Sequence, residues 1–146
     1  MSSEPALVDT NALVYALYKD SEHHGACRAL LDAAQARDAA LCVSPQNLAE
    51  FYATVTNPRR VAVPRSPEDA LSAAEQILFM PGMTLLSVPT DVVARWMELA
   101  RRRPVAGSRV FDLQLIATML ANGVSRIYTY NRSDFEPFEE IEVLTP

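Results

Sequence analysis

Asp9, Glu50, Asp112 and Asp134 are four acidic side chains that each stand against an apolar stretch, in "ALVDTNALV", "NLAEFYATV", "VFDLQLIATML" and "NRSDFEPF". Carboxylates brought together repel one another, and a bound divalent cation relieves that repulsion. Oxygen donors without His or Cys select a hard ion, Mg²⁺ or Mn²⁺, which keeps several waters and takes phosphate oxygens as further ligands. Such a site suits hydrolysis of a phosphodiester. The cation would polarise the phosphate and acidify a water, a carboxylate would orient or deprotonate that water, and attack would run in line with the leaving oxygen.

Each acid also has a structural reading. Asp9 precedes Thr10 and Asn11, all three of them helix-cap formers, so it serves equally as punctuation between a strand and a helix. Glu50 falls opposite the apolar stripe of Leu48, Phe51, Tyr52 and Val55, beside Asn47, Thr54 and Asn57; periodicity does not say whether that polar face meets water or a cleft. Asp112 opens a helix that is apolar almost all round. A carboxylate there loses its charge or needs a cation and good donors, and the helix N-terminus supplies only ~0.3–1 kcal/mol. Arg109 is the alternative partner. Asp134 reads as a turn or cap residue before Phe135.

The elements that must position these residues follow from five short β-prone runs, at 6–9, 40–44, 84–88, 126–130 and 141–145. They alternate with helical patterns at 11–19, 22–37, 46–57, 67–79, 91–103 and 110–122. That alternation predicts an α/β fold with a mostly parallel sheet covered on both faces, in one domain spanning 1–146. Ligands of such sheets bind beyond the strands' carboxyl ends, where the strand order reverses. Ser44-Pro45 and Ser66-Pro67 predict capped helix starts, and Thr90 a third. In helix 91–103, Val92, Val93, Trp96, Leu99 and Ala100 are expected inward and Arg95, Glu98, Arg101 and Arg102 outward. The segment "NPRRVAVPRSP" is a turn-rich loop.

The net charge of −5 has a location. The last thirteen residues hold five acids and no base, and the rest of the chain is neutral. Arginines cluster at Arg59, Arg60 and Arg65, and again at Arg101, Arg102, Arg103 and Arg109, which suits phosphates or an acidic partner as well as solvated helix ends. Cys27 and Cys42 read as buried free thiols, and adjacent His23 and His24 as a solvated helix start without zinc spacing. No apolar run approaches a membrane span, and "MSSEPAL" has neither a basic nor a long apolar leader segment; the cytoplasm is the expected compartment.

Taken together, "LVDTN", "SPQNLAEFYATVTNPRR", "GSRVFDLQLIATMLANGV" and "IYTYNRSDF" resemble the PIN domain, and within it the VapC-type toxins of toxin–antitoxin modules. The resemblance implies a three-layer α/β/α sandwich with strand order 3-2-1-4-5. It implies a Mg²⁺- or Mn²⁺-dependent endoribonuclease acting on RNA, usually a homodimer, inhibited by a small cognate VapB-type antitoxin. Asp9 and Asp112 would then be the principal metal ligands, Glu50 and Asp134 further catalytic acids, and Asn11, Thr129 and Asn131 the supports. Family members often carry an acid where this chain has Asn131, and that departure keeps a second class open, a PIN-like RNA-binding or protein-interaction module with weak or absent catalysis. Haloacid-dehalogenase chemistry would need Asp in place of Asn11, and dinucleotide binding lacks its glycine loop. The uncompensated acids at the sheet mouth suggest that the antitoxin covers them with a basic side chain.

Overall fold

The five apolar runs form strands β1 (Ala6–Val8), β2 (Leu41–Val43), β3 (Met83–Leu85), β4 (Arg126–Tyr128) and β5 (Glu142–Leu144). The structure, a computed structural model, describes residues 4–146; the first three residues of the opening segment lie outside the described residues. All four strand pairings are parallel and the order is β3-β2-β1-β4-β5. This is the expected order. β3 stops at Leu85, short of the expected 88, because the Leu86 N–H makes one last bond to Val43 O and Asn122 Nδ2 then donates to Ser87 O, turning the chain towards Pro89.

Helices α1 (Thr10–Leu17), α2 (His24–Gln35), α3 (Pro45–Val55) and α4 (Pro67–Leu78) cover one face, and α5 (Val92–Arg102) and α6 (Val110–Ala121) the other. The strands are apolar without alternation because both faces are buried. Val8 and Val43 join Leu13, Leu31 and Phe51 on the first side, while Leu7 and Cys42 join Leu113, Ile116 and Ile127 on the second. Two short elements escaped the sequence reading, a 3₁₀ turn at Gly107–Arg109 and α7 (Arg132–Phe135). Neither is long enough to show a period.

Ser44 and Ser66 accept from the backbone of Asn47 and Asp69, each ahead of a first-turn proline, as expected. Thr90 does not cap α5. Asp91 occupies that position without a side-chain cap bond, and Val93 lies half exposed, so Val92 and Leu99 carry the burial of this helix. Cys27 and Cys42 are buried free thiols. The two histidines depart from the solvated reading: His23 stacks on Tyr130 with ring centres 4.0 Å apart, and a His24 ring nitrogen lies 3.0 Å from Tyr15 O. Among the described residues no helix is long and apolar enough to cross a membrane.

The acidic end of the chain finds partners within the fold. Arg102 binds Glu140, Arg126 binds Glu142, Arg132 binds Glu136, and Arg109 lies 3.5 Å from Asp134. The second arginine cluster therefore spends Arg102 and Arg109 on the chain's own acids.

Gly82 is where α2 meets the sheet. Its N–H donates to Ala34 O and its carbonyl accepts from Leu41 N, so backbone approaches backbone. A Cβ there would lie 2.5 Å from Ala39 O and 2.6 Å from Ala34 O. Gly82→Ala is expected to lose about 1–3 kcal/mol of stability, the usual cost of overpacking, in urea unfolding. An unchanged midpoint would mean that this corner relaxes freely.

Candidate active site

The register sets the site. Val8 pairs with Tyr128 and Leu7 with Cys42, so the residues next beyond β1, β2 and β4, namely Asp9, Ser44 and Thr129, come out side by side at the carboxyl edge. This edge lies at the switch point between β1 and β4.

Asp9 is 8% exposed. Its Oδ1 accepts from Thr10 N at 2.8 Å; its Oδ2 accepts from the Thr129 hydroxyl at 2.8 Å and from Asn11 Nδ2 at 3.4 Å. Burial pushes the Asp9 pKa above the ordinary 3.8; the bonds from Thr129 and Thr10 work against the rise, and the charges of Glu50 and Asp134 add to it. Asp9 is also the N-cap residue of α1, although its side chain bonds the very next amide rather than the second or third amide of the helix. The helix-cap position and a cleft-lining carboxylate fall on one residue. Asn11 ties the corner together, since its Oδ1 accepts from Tyr130 N at 3.3 Å while its Nδ2 also reaches Thr129 Oγ1.

Glu50 is held from two sides and is not simply solvated. Thr10 Oγ1 donates to Oε2 at 3.1 Å and Gln46 Nε2 to Oε1 at 2.9 Å. The Thr10 hydroxyl has its direction fixed from behind, because Asn47 Nδ2 donates to it at 3.3 Å and leaves its own hydrogen for Glu50. Asn47 is wholly buried and closes the capping box of α3, its Oδ1 accepting from Ser44 N and Ser44 Oγ. Asn47 was expected on the polar face. "SPQN" carried a signal in its Ser-x-x-Asn spacing, a capping box with Asn in the Glu/Gln position, but nothing in the sequence tied that box to Thr10.

Asp112 begins α6 half-buried, and among the described residues no hydrogen bond is directed at its carboxylate. Its pKa is pushed up to about 6, first by burial and then by the charges of Asp134 and Asp9; Arg109 offsets part of this and Glu50 adds a little. The Arg109 alternative is realised differently from expectation. Its guanidinium pairs with Asp134 and reaches Asp112 only as a field.

A cleft of about 410 Å³ is lined by Asp9, Thr10, Asn11, Tyr15, Glu50, Asp112, Asn131 and Arg60 among others. Three of the four singled-out acids thus share one wall with Asn131. Asp134 is not part of that lining but lies close enough for its charge to act on Asp9 and Asp112. Thr129 is buried beneath the cleft, its hydroxyl accepting from Asn131 N at 3.0 Å.

These donors fit a hard divalent cation. They are oxygens, burial first and neighbouring carboxylate charge second raise the pKa of both Asp9 and Asp112, and a cation held by the two would offset that cost. Among the described residues no group of three or more His, Cys, Asp or Glu side chains is drawn tightly enough to grip an ion by itself. Two carboxylates with water filling the remaining positions is how Mg²⁺ is commonly held.

The PIN domain family matches residues 6–141. The chain is 32% identical to ribonuclease VapC43 of Mycobacterium tuberculosis over 118 residues, 81% of this chain and 80% of that protein. It is 30% identical to ribonuclease VapC24 of the same organism over 140 residues, 95% and 94% of the two chains. Among solved structures, the fold matches M. tuberculosis VapC20, a Sarcin-Ricin loop cleaving toxin, with a TM-score of 0.66, 19% identity and coverage of 93% and 98%. It also matches VapBC2 from Rickettsia felis, bound to a DNA fragment from its promoter, at 0.65, with 18% identity over 97% and 98% of the chains. The sheet order, the acids at its switch point and these likenesses converge: the chain belongs to the PIN-domain family, among the VapC ribonucleases.

Proposed function

We propose that this protein is the endoribonuclease toxin of a toxin–antitoxin pair, a hydrolase that cuts RNA phosphodiester bonds with Mg²⁺ or Mn²⁺ at the Asp9–Asp112 cleft. Nucleases of this family depend on a divalent metal. The carrying observation is the shared wall of Asp9, Glu50 and Asp112, where burial first and then the charges of Asp134 and Asp9 push the Asp112 pKa up to about 6. Asp9 and Asp112 would hold the cation. When bound, the cation supplies Lewis acidity to a phosphate oxygen and acidifies a water. Glu50, braced by Thr10 and Gln46, orients that water and receives its proton. Asn11 and Thr129 keep the Asp9 carboxylate facing the cleft, and Asn131 offers a neutral oxygen or amide to the substrate side. Asp134 acts through its charge and its pair with Arg109.

The chain works as one domain over 1–146, as a homodimer in the cytoplasm. Its partner is a small VapB-type antitoxin that covers the acidic mouth with a basic side chain. Structural neighbours solved as toxin–antitoxin complexes, from Klebsiella pneumoniae and as VapBC-1 of nontypeable Haemophilus influenzae, support that partner.

RNA cleavage by the pure protein with Mn²⁺ is expected to stop with chelator. It should fall more than about 100-fold in Asp9→Asn, since even changes one shell further out cost metal sites 10–100-fold. Cleavage that survives both treatments would refute the mechanism. Wild-type protein that cuts nothing across a broad RNA panel would favour the binding module, for which Asn131 is the one argument.

Asp112 makes a thermodynamic prediction. Its folded pKa of about 6 lies above the ordinary 3.8, so the folded state holds the proton more tightly. Metal-free stability from this group is therefore highest below 3.8, falls as pH rises towards about 6, and the penalty is complete above that. Asp112→Asn should melt higher than wild type at neutral pH without metal, with the difference closing in acid. Added Mn²⁺ should raise the wild-type melting temperature and do so much less in the variant. A variant that melts lower at neutral pH would show that Asp112 is a structural charge.

A further inference from the structure

We infer that Arg60 is a phosphate clamp, a fixed cation in the wall of the acidic cleft that takes a phosphate of single-stranded RNA flanking the one that reacts; this rests on the nuclease reading above. Among the described residues Arg60 is the one basic residue that lines the cleft with Asp9, Glu50 and Asp112. Among the described residues no ion pair engages it, whereas Arg95, Arg101, Arg102, Arg109, Arg126 and Arg132 are all paired with acids. Its charge therefore remains for a ligand.

The loop that carries Arg60 is built as a rigid mount. Asn57 Oδ1 accepts from Arg59 N, and Asn57 O accepts from both Arg60 N and Val61 N, closing one tight turn straight after α3. Further on, Tyr18 OH donates to Val63 O, the Arg65 guanidinium lies over the Tyr18 ring at 5.0 Å, and Arg65 N donates to Val55 O. Three attachments pin the loop to the ends of α1 and α3. Of its arginines, Arg65 packs on Tyr18, and Arg60 alone lines the cleft.

Electrostatics explain why the cleft needs such a cation. Asp9 and Asp112 would hold a metal that takes up the charge of the reacting phosphate, whereas a neighbouring phosphate of the strand would still meet the Glu50 carboxylate in the cleft wall. The cleft wall includes Glu50, Ala53 and Thr54 of α3 and then Arg60 in the loop that follows the helix, so Arg60 is offset from the carboxylates and suits a phosphate beside the reacting one. A guanidinium offers two parallel donors to phosphate oxygens, which a lysine does not.

The test uses the full chain and a fluorescein-labelled single-stranded RNA, with Kd from anisotropy in EDTA and KM from cleavage with Mn²⁺, each across a KCl series. Arg60→Gln should raise Kd and KM about tenfold, the usual worth of a charge-assisted hydrogen bond. It should flatten the slope of log affinity against log salt by about 0.7, one phosphate contact on a single strand. Arg60→Lys should keep the slope and recover only part of the affinity. Arg59→Gln, one residue outside the cleft, should leave both near wild type. Equal effects from the Arg59 and Arg60 variants would overturn the clamp in favour of general surface charge. Faster cleavage by Arg60→Gln with an unchanged slope would also overturn it, making Arg60 a cover over the carboxylates. Should RNA binding depend on Arg60 while wild type cuts nothing with Mn²⁺, the clamp stands and the nuclease reading falls.

Discussion

The Asp9 carboxylate is buried at the one place where a parallel sheet reverses its strand order, and most of the site can be traced to what that burial demands. Desolvation drives its pKa up, and the fold answers with the Thr10 amide, the Thr129 hydroxyl and the Asn11 amide. None of these is cationic, so the acid is braced without being neutralised. That is the arrangement a metal ligand requires, since a guanidinium in the same place would satisfy the charge and remove the reason to bind an ion.

The second constraint is directional. A hydroxyl can both donate and accept, and Thr10 would be an ambiguous neighbour for Glu50 if it stood alone. Asn47 removes the ambiguity by donating to Thr10 from a fully buried position, itself oriented by its bonds from Ser44. A chain of hydrogen bonds thus runs from the capping box of α3 to a carboxylate on the next turn of that helix. The cap that starts the helix also aims the acid, which is economical in a domain this small. Where such networks are fully satisfied they also specify a single packing of the elements around them.

Much of this was legible in the sequence, and the reasons are particular. The five strands and six long helices declare themselves because both faces of the sheet are covered, giving unbroken apolar runs, and because Ser-Pro pairs mark two helix starts. Asp112 declares itself because a carboxylate in a helix apolar almost all round needs either a cation or an arginine partner. The α7 turn and Gly107–Arg109 are too short to carry a period. The role of Asn47 was hidden because it meets Thr10 only through tertiary geometry, and a polar residue on a helix face looks the same whether it faces water or a buried hydroxyl; the Gln46–Glu50 pair, by contrast, has the i,i+4 spacing of one helix face. The arginine clusters looked alike in sequence, yet the acidic C-terminal segment folds back onto Arg102 and Arg109 and leaves the loop of Arg60 facing the cleft.

Asn131 bears on how much charge the mouth can hold. With an acid there, four carboxylates would line or crowd the cleft while Arg109 already answers Asp134, and the metal-free protein would carry a larger penalty at neutral pH. With asparagine, the cleft wall has Asp9, Glu50 and Asp112 against Arg60, while the backbone N–H of residue 131, which any side chain would leave in place, donates to Thr129 Oγ1. The exchange trades electrostatic pull on a cation for stability in its absence, because repulsion among carboxylates and affinity for a divalent ion are two expressions of the same local field. A chain that lowers one lowers the other, and on the proposed reading the remaining pull on a cation would rest on Asp9 and Asp112, whose pKa values burial has raised.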